Sequence, residues 1–227
     1  MSGLLAIDTL TGGYHDTNVV FDVSVQVAPG QVLGLFGRNG VGKTTLARLV
    51  QGGLRPATGD IRLGGRSVTG LAAYERRALG LGYMPQTGMV FDDMSVRDNL
   101  YLGENRCPPD AYFDRFPRLA ERLDQKAGSM SGGERKILAF VRTMIEDTGL
   151  LVLDEPSEGV QPENIDHMAD CLKERARDGA GIILIEQNMT FLTQVADSYL
   201  GLDAGRVCLR GDAGEVTDGQ IKAALAI

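Results

Sequence analysis

Residues 32–45 read VLGLFGRNGVGKTT, a short apolar run that leads directly into a glycine-rich segment. The segment from Gly37 to Thr44 matches the pattern G-x-x-x-x-G-K-[ST] at every fixed position. The run predicts a strand buried on both faces, and the glycines let backbone N–H groups turn towards phosphate oxygens. The stretch therefore predicts a phosphate-binding loop in an α/β fold. A glycine-rich turn before a helix is the alternative interpretation.

The residues after the glycines predict how such a loop would hold a nucleotide. Lys43 is expected to reach the β and γ phosphates, and the Thr44 hydroxyl is expected to ligate Mg²⁺. Leu46, Leu49 and Val50 fall on one face of the predicted helix, whose positive dipole end points at the phosphates.

Further strands are predicted on both sides of this loop in the sequence. Apolar residues alternate with polar ones from Phe21 to Val27, which predicts a half-buried antiparallel strand. Continuous apolar runs recur at 150–153 and 182–185, separated by helical periodicity, as expected of a parallel sheet with right-handed crossovers. Residues 203–205, Asp-Ala-Gly, predict a turn between two late strands.

Strand-like runs are absent between Met84 and Met130, which predicts a helical insertion of about 45 residues. Ser95 and Asp98 have the spacing of a capping box, and amphipathic patterning from Tyr112 to Lys126 predicts a further helix.

Two carboxylates follow the predicted strand at 150–153. Asp154 and Glu155 would lie at the carboxyl edge of the sheet, where open α/β folds bind ligands. Asp154 is expected to hold Mg²⁺ through its water shell, and Glu155 is expected to act as general base for an attacking water. Alone, the pair would more often be a helix cap.

A second anion cradle is predicted at residues 130–134, Met-Ser-Gly-Gly-Glu, directly before an amphipathic helix. Ser131 and Glu134 alone make an ordinary capping box, which is the simpler interpretation. The two glycines and the hydroxyl also leave a bare helix start suited to an anion.

Composition excludes several classes of protein. The 227 residues carry 23 Lys and Arg against 30 Asp and Glu, a net charge of −7, which argues against nucleic-acid binding by a basic surface. Three distant cysteines suggest neither a disulfide framework nor a zinc site. No apolar stretch is long enough to span a membrane, and the N-terminal residues 1–5 lack the basic residues that begin a secretory signal. A cytoplasmic protein is therefore expected.

In these features the chain resembles the nucleotide-binding subunits of ABC transporters. The resemblance rests on six ordered motifs: Tyr14, the Walker A run Gly37–Thr44, Gln86 after Pro85, the signature Met130–Glu134, the Walker B strand into Asp154-Glu155, and the loop 156–162. It implies a P-loop NTPase fold with a mixed sheet core, an N-terminal antiparallel β subdomain and an α-helical subdomain. It also implies one ATPase domain over 1–227, with the helical subdomain at 87–130.

The resemblance implies a role for each matching position. The ATP-binding residues would be Tyr14, Gly37, Asn39, Gly40, Gly42, Lys43, Thr44 and Thr45, with Ser131, Gly132 and Gly133 acting on the nucleotide of a facing chain. The catalytic residues would be Glu155, Gln86, Gln187 and Lys43, and the Mg²⁺ residues Thr44, Gln86 and Asp154. Tyr14 would stack on adenine; a surface tyrosine in a turn is its alternative interpretation.

Three positions depart from the common family pattern. Met130 and Glu134 replace Leu and Gln in the signature, and Gln187 stands where most of these ATPases have histidine. Glutamine donates a hydrogen bond but carries no proton, so a weaker or asymmetric site is expected. Gln187 and the loops 38–41 and 157–162 resemble the smaller ATPase of branched-chain amino acid or urea importers, which pair two different ATPase chains.

The expected cofactors are ATP and Mg²⁺. The expected partners are a second ATPase chain, membrane permease subunits and, indirectly, an extracytoplasmic solute-binding protein, with no nucleic acid; the chain would lie peripherally on the inner face of the plasma membrane. Two alternatives stay open: a soluble ABC-type ATPase acting on DNA, ribosomes or cluster assembly, and a small-molecule kinase. The kinase would leave the signature and Gln86 without a role.

Overall fold

The computed structural model of the chain describes residues 3–103 and 105–226. Met1 and Ser2 belong to the N-terminal stretch that is predicted not to be a secretory signal, and both lie outside the described residues. The strands are β1 (Leu5–Tyr14), β2 (Thr17–Val27), β3 (Val32–Phe36), β4 (Pro56–Leu63), β5 (Arg66–Ser67), β6 (Leu81–Met84), β7 (Leu150–Asp154), β8 (Gly181–Ile185), β9 (Ser198–Asp203) and β10 (Arg206–Asp212). The α-helices are α1 (Lys43–Gln51), α2 (Ala73–Ala78), α3 (Val96–Leu100), α4 (Pro117–Glu121), α5 (Gly132–Ile145), α6 (Pro162–Arg177), α7 (Met189–Val195) and α8 (Asp218–Ala226).

Two sheets form the framework. A six-stranded sheet has the order β10-β9-β3-β8-β7-β6, in which only the β9–β10 pair is antiparallel. A four-stranded antiparallel sheet has the order β2-β1-β4-β5. The predicted mixed core and the predicted N-terminal antiparallel sheet are therefore confirmed.

The central strands are buried on both faces because two apolar cores flank the large sheet. In β3, Val32 and Phe36 face the core that contains α5, α6 and α7, whereas Leu33 and Leu35 face the core that contains α1 and the small sheet. The neighbouring strands β7 and β8 alternate in the same way. Continuous apolar runs are what a doubly covered sheet requires.

The segment between β6 and α5 is built from shorter helices than the sequence predicts. Ser95 caps α3 as expected, since its hydroxyl accepts a hydrogen bond from the Asp98 N–H at 3.0 Å. The predicted helix over 112–126 is wrong, because only Pro117–Glu121 is α-helical there. Pro117 has no N–H to donate, and Phe116 before it is at φ −127°, ψ 65°, outside the helical region.

A buried arginine closes the carboxyl end of α1. The Arg76 side chain, only 1% exposed, donates to the carbonyls of Leu49 and Val50 at 2.7 Å and to those of Thr69 and Leu71 at 3.1 Å. Burial lowers the pKa of Arg76. The guanidinium therefore neutralises the negative end of the helix whose positive end faces the glycine-rich loop.

We expect Arg76→Met to lower the free energy of unfolding by about 2–4 kcal/mol, because four buried carbonyls would lose a charged donor. Arg77→Met is the matched control: Arg77 lies next along α2, and its side chain is 53% exposed and pairs with Glu146. Its loss should cost about 0.5 kcal/mol. Urea unfolding of both variants tests the comparison, and equal losses would contradict it.

Candidate nucleotide site

Four adjacent parallel strands end at one edge of the large sheet and position the candidate site. The glycine-rich loop follows β3, Gln86 lies two residues after β6, Glu155 directly follows β7, and Gln187 lies two residues after β8. The carboxyl edge of such a sheet is where α/β folds bind ligands. The sheet order therefore brings four predicted segments together, although they span 150 residues of sequence.

The loop from Gly37 to Gly42 leaves a helix start open to an anion. Gly42 precedes α1 with φ +110°, and no side chain caps the helix. Because the first N–H groups of a helix have no partner within it, those of α1 are suited to phosphate oxygens. Asn39 and Gly40 lie exposed on the outer turn, and Thr45 is buried in the first turn of α1.

Lys43 points back into the loop. Its ammonium group donates to the carbonyls of Gly37 at 2.8 Å and Arg38 at 2.9 Å, and lies 3.9 Å from Glu155 Oε1. Burial lowers the pKa of Lys43, and nearby Glu155 and Asp154 act in the opposite direction. A bound polyphosphate would offer this buried cation stronger acceptors than loop carbonyls.

Glu155 is the point where the predicted catalytic residues meet. Its Oε2 accepts a hydrogen bond from Gln86 Nε2 at 2.9 Å, and its Oε1 accepts one from Gln187 Nε2 at 2.5 Å. Glu155 is 6% exposed, and its backbone has φ +49°, a left-handed conformation that costs about 1–3 kcal/mol for a non-glycine residue. Two amide donors therefore fix both oxygens of a carboxylate that stands on a strained backbone.

Asp154 fits the role of a metal residue. Its side chain is completely buried, and neither carboxylate oxygen accepts a hydrogen bond from any described residue. Burial raises the pKa of Asp154, whereas the adjacent Thr44 hydroxyl and Lys43 lower it. A buried carboxylate beside a threonine hydroxyl suits Mg²⁺, which binds few protein oxygens and keeps waters and phosphate oxygens as its other ligands.

Ser131, Gly132 and Gly133 lie at the start of α5, beside two grooves. Ser131 caps α5, its hydroxyl accepting from Glu134 N–H at 3.3 Å while Glu134 Oε2 accepts from Ser131 N–H at 2.9 Å. The three residues line two grooves with residues of 86–92, 114–122 and 158–167, and neither groove includes a residue of 37–45. The capping box is confirmed, and one of the two grooves also includes Gln86, which bonds to Glu155.

Tyr14 ends β1 and is partly exposed. The Arg48 guanidinium of α1 lies over its ring, 5.4 Å from the centroid. One face of the ring is therefore covered by a cation, and stacking of adenine on Tyr14 stays a prediction.

Three charged residues that no sequence motif predicts also contact the site. Glu186 is buried directly after β8, and Lys136 donates to the Gln86 carbonyl. Glu158 Oε2 lies 3.3 Å from Gln86 Nε2 and 3.7 Å from Lys136 Nζ. Glu186 carries the signal that identified Asp154, a carboxylate at the end of a buried strand. Lys136 lies on α5 and Glu158 lies in the 156–162 loop, and no local pattern predicts that either reaches Gln86.

Comparison with known proteins gives consistent matches. The family described as ABC transporter matches residues 20–158. The chain is 33% identical to the high-affinity branched-chain amino acid transport ATP-binding protein BraG of Pseudomonas aeruginosa, covering 91% of both chains. It is 34% identical to the lipopolysaccharide export system ATP-binding protein LptB of Acidithiobacillus ferridurans, over 96% of this chain and 94% of that one.

A solved ATP-binding subunit of an ABC transporter superposes with a TM-score of 0.79 at 27% identity, covering 92% of this chain and 90% of that one. In the part of the chain that the structure describes, each helix is too short or too polar to traverse a bilayer.

We expect Asp154→Asn to raise the thermal unfolding midpoint without nucleotide, because a neutral amide replaces a buried, unpartnered carboxylate. A gain of ~1 kcal/mol corresponds to about 2–4 °C in a chain of this size. The stabilisation gained from ATP with Mg²⁺ should shrink in the variant. Asp166→Asn, at an exposed position of α6, is the control and should change neither quantity. A lower midpoint for Asp154→Asn in the absence of ligands would contradict the assignment.

Proposed function

The chain belongs to the ABC transporter family of ATP-hydrolysing subunits, and from this membership we propose that it powers an importer of branched-chain amino acids, urea or a related small polar solute. The convergence of Gln86, Gln187 and Lys43 on Glu155 carries the catalytic part of the proposal. The similarity of Gln187 and of the loops 38–41 and 157–162 to the smaller ATPase of such importers supports the solute class.

Each residue at the sheet edge has a chemical role in this proposal. Lys43 and the N–H groups of α1 bind the β and γ phosphates. Glu155 takes the proton of the attacking water on a carboxylate oxygen, while Gln86 and Gln187 keep both oxygens oriented. Thr44 and Asp154, with Gln86 beside them, would hold Mg²⁺, which neutralises charge on the phosphate oxygens when bound.

The position of Ser131 supports a two-chain sandwich. Ser131, Gly132 and Gly133 line two grooves that contain no residue of 37–45, which supports a role in cradling the γ-phosphate on a facing chain. ATP then closes the pair and hydrolysis reopens it. The difference in ATP affinity between the two states drives the permease.

An exposed apolar surface supports a permease contact. It consists of Tyr74, Leu79, Met89, Phe91, Tyr101 and Leu102, which are 40–75% exposed. Arg142 packs over the Phe91 ring at 5.4 Å and helps to hold this surface in place. Two of these residues lie on or beside α2 and four lie between β6 and α5, and exposed apolar side chains of this size indicate an interaction site. In this proposal the surface docks the chain on the cytoplasmic side of a permease, and a solute-binding protein outside acts only through that permease.

We expect Glu155→Gln to reduce ATP turnover at least about a hundredfold, because an amide cannot accept the water proton. ATP binding should persist, and ATP should hold two chains together, which size-exclusion chromatography with ATP can measure. Glu215→Gln, at an exposed position after β10, is the control and should keep parental turnover. Hydrolysis at the parental rate by Glu155→Gln would overturn the proposed chemistry.

The solute class is tested in cells that depend on this chain. We expect Lys43→Ala to abolish ATP-dependent uptake of labelled leucine, valine, isoleucine or urea, because the phosphates lose their buried cation. Arg210→Ala, on the outer strand β10, should leave uptake unchanged. Normal uptake of all four solutes in the Lys43→Ala strain, with a defect in lipopolysaccharide export, would overturn the importer assignment and favour an exporter.

A further inference from the structure

Glu186 is a buried carboxylate for which the catalytic steps have no use. It follows β8 directly, its side chain is 2% exposed, and it lies beside Gln187. Burying a carboxylate is costly unless its oxygens are hydrogen-bonded. Here both oxygens are bonded, but to backbone N–H groups from two separate segments.

The hydrogen bonds of Glu186 join those two segments. Its Oε1 accepts from the Ser157 N–H at 2.9 Å, in the loop after Glu155. Its Oε2 accepts from the N–H groups of Gln187 at 3.1 Å and Asn188 at 3.2 Å, where the chain turns into α7. One side chain therefore fixes the start of the 156–162 loop and the backbone of Gln187 at the same time.

One of these segments contacts the proposed base Glu155, and the other contacts the signature residues of the proposed two-chain sandwich. The Gln187 side chain donates to Glu155, the proposed base. The 156–162 loop continues to Gly159, whose carbonyl oxygen would lie only 2.6 Å from a Cβ atom placed on Gly133 of the signature. Glu186 is thus a hydrogen-bonded connection between the backbone of Gln187, which donates to the base, and the loop that packs on the second anion cradle.

We propose that Glu186 is a positioning residue that couples the arrangement of the 156–162 loop to the placement of Gln187 against Glu155. The proposal rests on the proposed roles of Glu155 and Gln187. A shift of the 156–162 loop, as a facing chain docks or leaves, changes the position of Ser157. Through Glu186 it also changes the backbone from which Gln187 reaches the base.

A carboxylate suits this position better than an amide does. Burial raises the pKa of Glu186, whereas the Ser157 hydroxyl and the N–H groups of Ser157, Asn188 and Gln187 favour its charged form. In Glu186→Gln the amide has one accepting oxygen, so its NH₂ group must face either the Ser157 N–H or the N–H groups of Gln187 and Asn188. Glu186→Gln therefore breaks one of the two links with almost no change in volume.

The test measures ATP turnover of the complete assembly containing Glu186→Gln, Gln187→Ala or both. We expect Glu186→Gln to lower kcat at least about tenfold with KM for ATP within about twofold, because misplacing a catalytic group costs turnover more than ground-state binding. Gln187→Ala should also lower kcat. The double variant should be no slower than the slower single variant, because both act through the same contact to Glu155.

Hydrogen exchange of the full chain provides a second readout that needs no partner. Glu186→Gln should speed exchange in both 156–162 and 186–190, because a segment that has lost its link to Glu186 no longer restrains the other segment. Leu172→Ala, a cavity variant in buried α6, controls for general destabilisation and should leave the ratio of exchange in these segments to that in β3 unchanged. If Glu186→Gln does not fold, Glu186→Asp, which keeps the charge on a shorter side chain, replaces it.

A kcat for Glu186→Gln within twofold of the parent would overturn the proposal, as would a double variant whose loss equals the product of the single losses. Exchange that changes in only one segment would also overturn it. The Glu155→Gln variant separates this failure from a failure of the proposed function. If Glu155→Gln stops turnover while Glu186→Gln does not, only the coupling role of Glu186 is wrong.

Discussion

The common edge of four parallel strands is the constraint on which the site depends. β3, β8, β7 and β6 are neighbours in the sheet, and the loop that follows each of them supplies a different group. The strands are covered by apolar cores on both faces, so their ends cannot move independently of one another. The sheet therefore fixes the relative positions of the phosphate loop, the base and the two glutamines before any ligand binds.

This edge gathers more negative than positive charge. Asp154, Glu155 and Glu186 are all buried near Lys43, which interacts with each of them. The three carboxylates are stabilised in different ways: Glu155 by side-chain amides, Glu186 by backbone N–H groups, and Asp154 by no hydrogen bond from the described residues. The least satisfied of them is the one for which a divalent cation is proposed, so the electrostatic cost falls where a ligand can offset it.

Secondary structure is predicted correctly from the sequence where the local pattern of apolar residues matches the burial that the fold imposes. Continuous apolar runs identified β3, β7 and β8, and the capping box at Ser131 forms as predicted. At Ser95 only the side-chain cap of α3 forms, and Asp98 bonds to the Ser95 hydroxyl and not to its N–H. β1 escaped detection because its register shifts between Ile7 and Leu10, with Thr9 at φ +44°, which breaks the alternation of buried residues. The bonds of Arg76 to α1 and of Glu186 to Ser157 join residues about 27 and 29 positions apart, beyond the reach of any local pattern.

Arg76 gives α1 a mechanical property. The nine-residue helix α1 begins at the phosphate loop, and Arg76 of α2 bonds to the carbonyls at its other end. Both ends of α1 are therefore held by neighbouring segments. α2 also carries Tyr74 on the exposed apolar surface. A displacement of α2 therefore acts on the carboxyl end of α1 through the Arg76 hydrogen bonds.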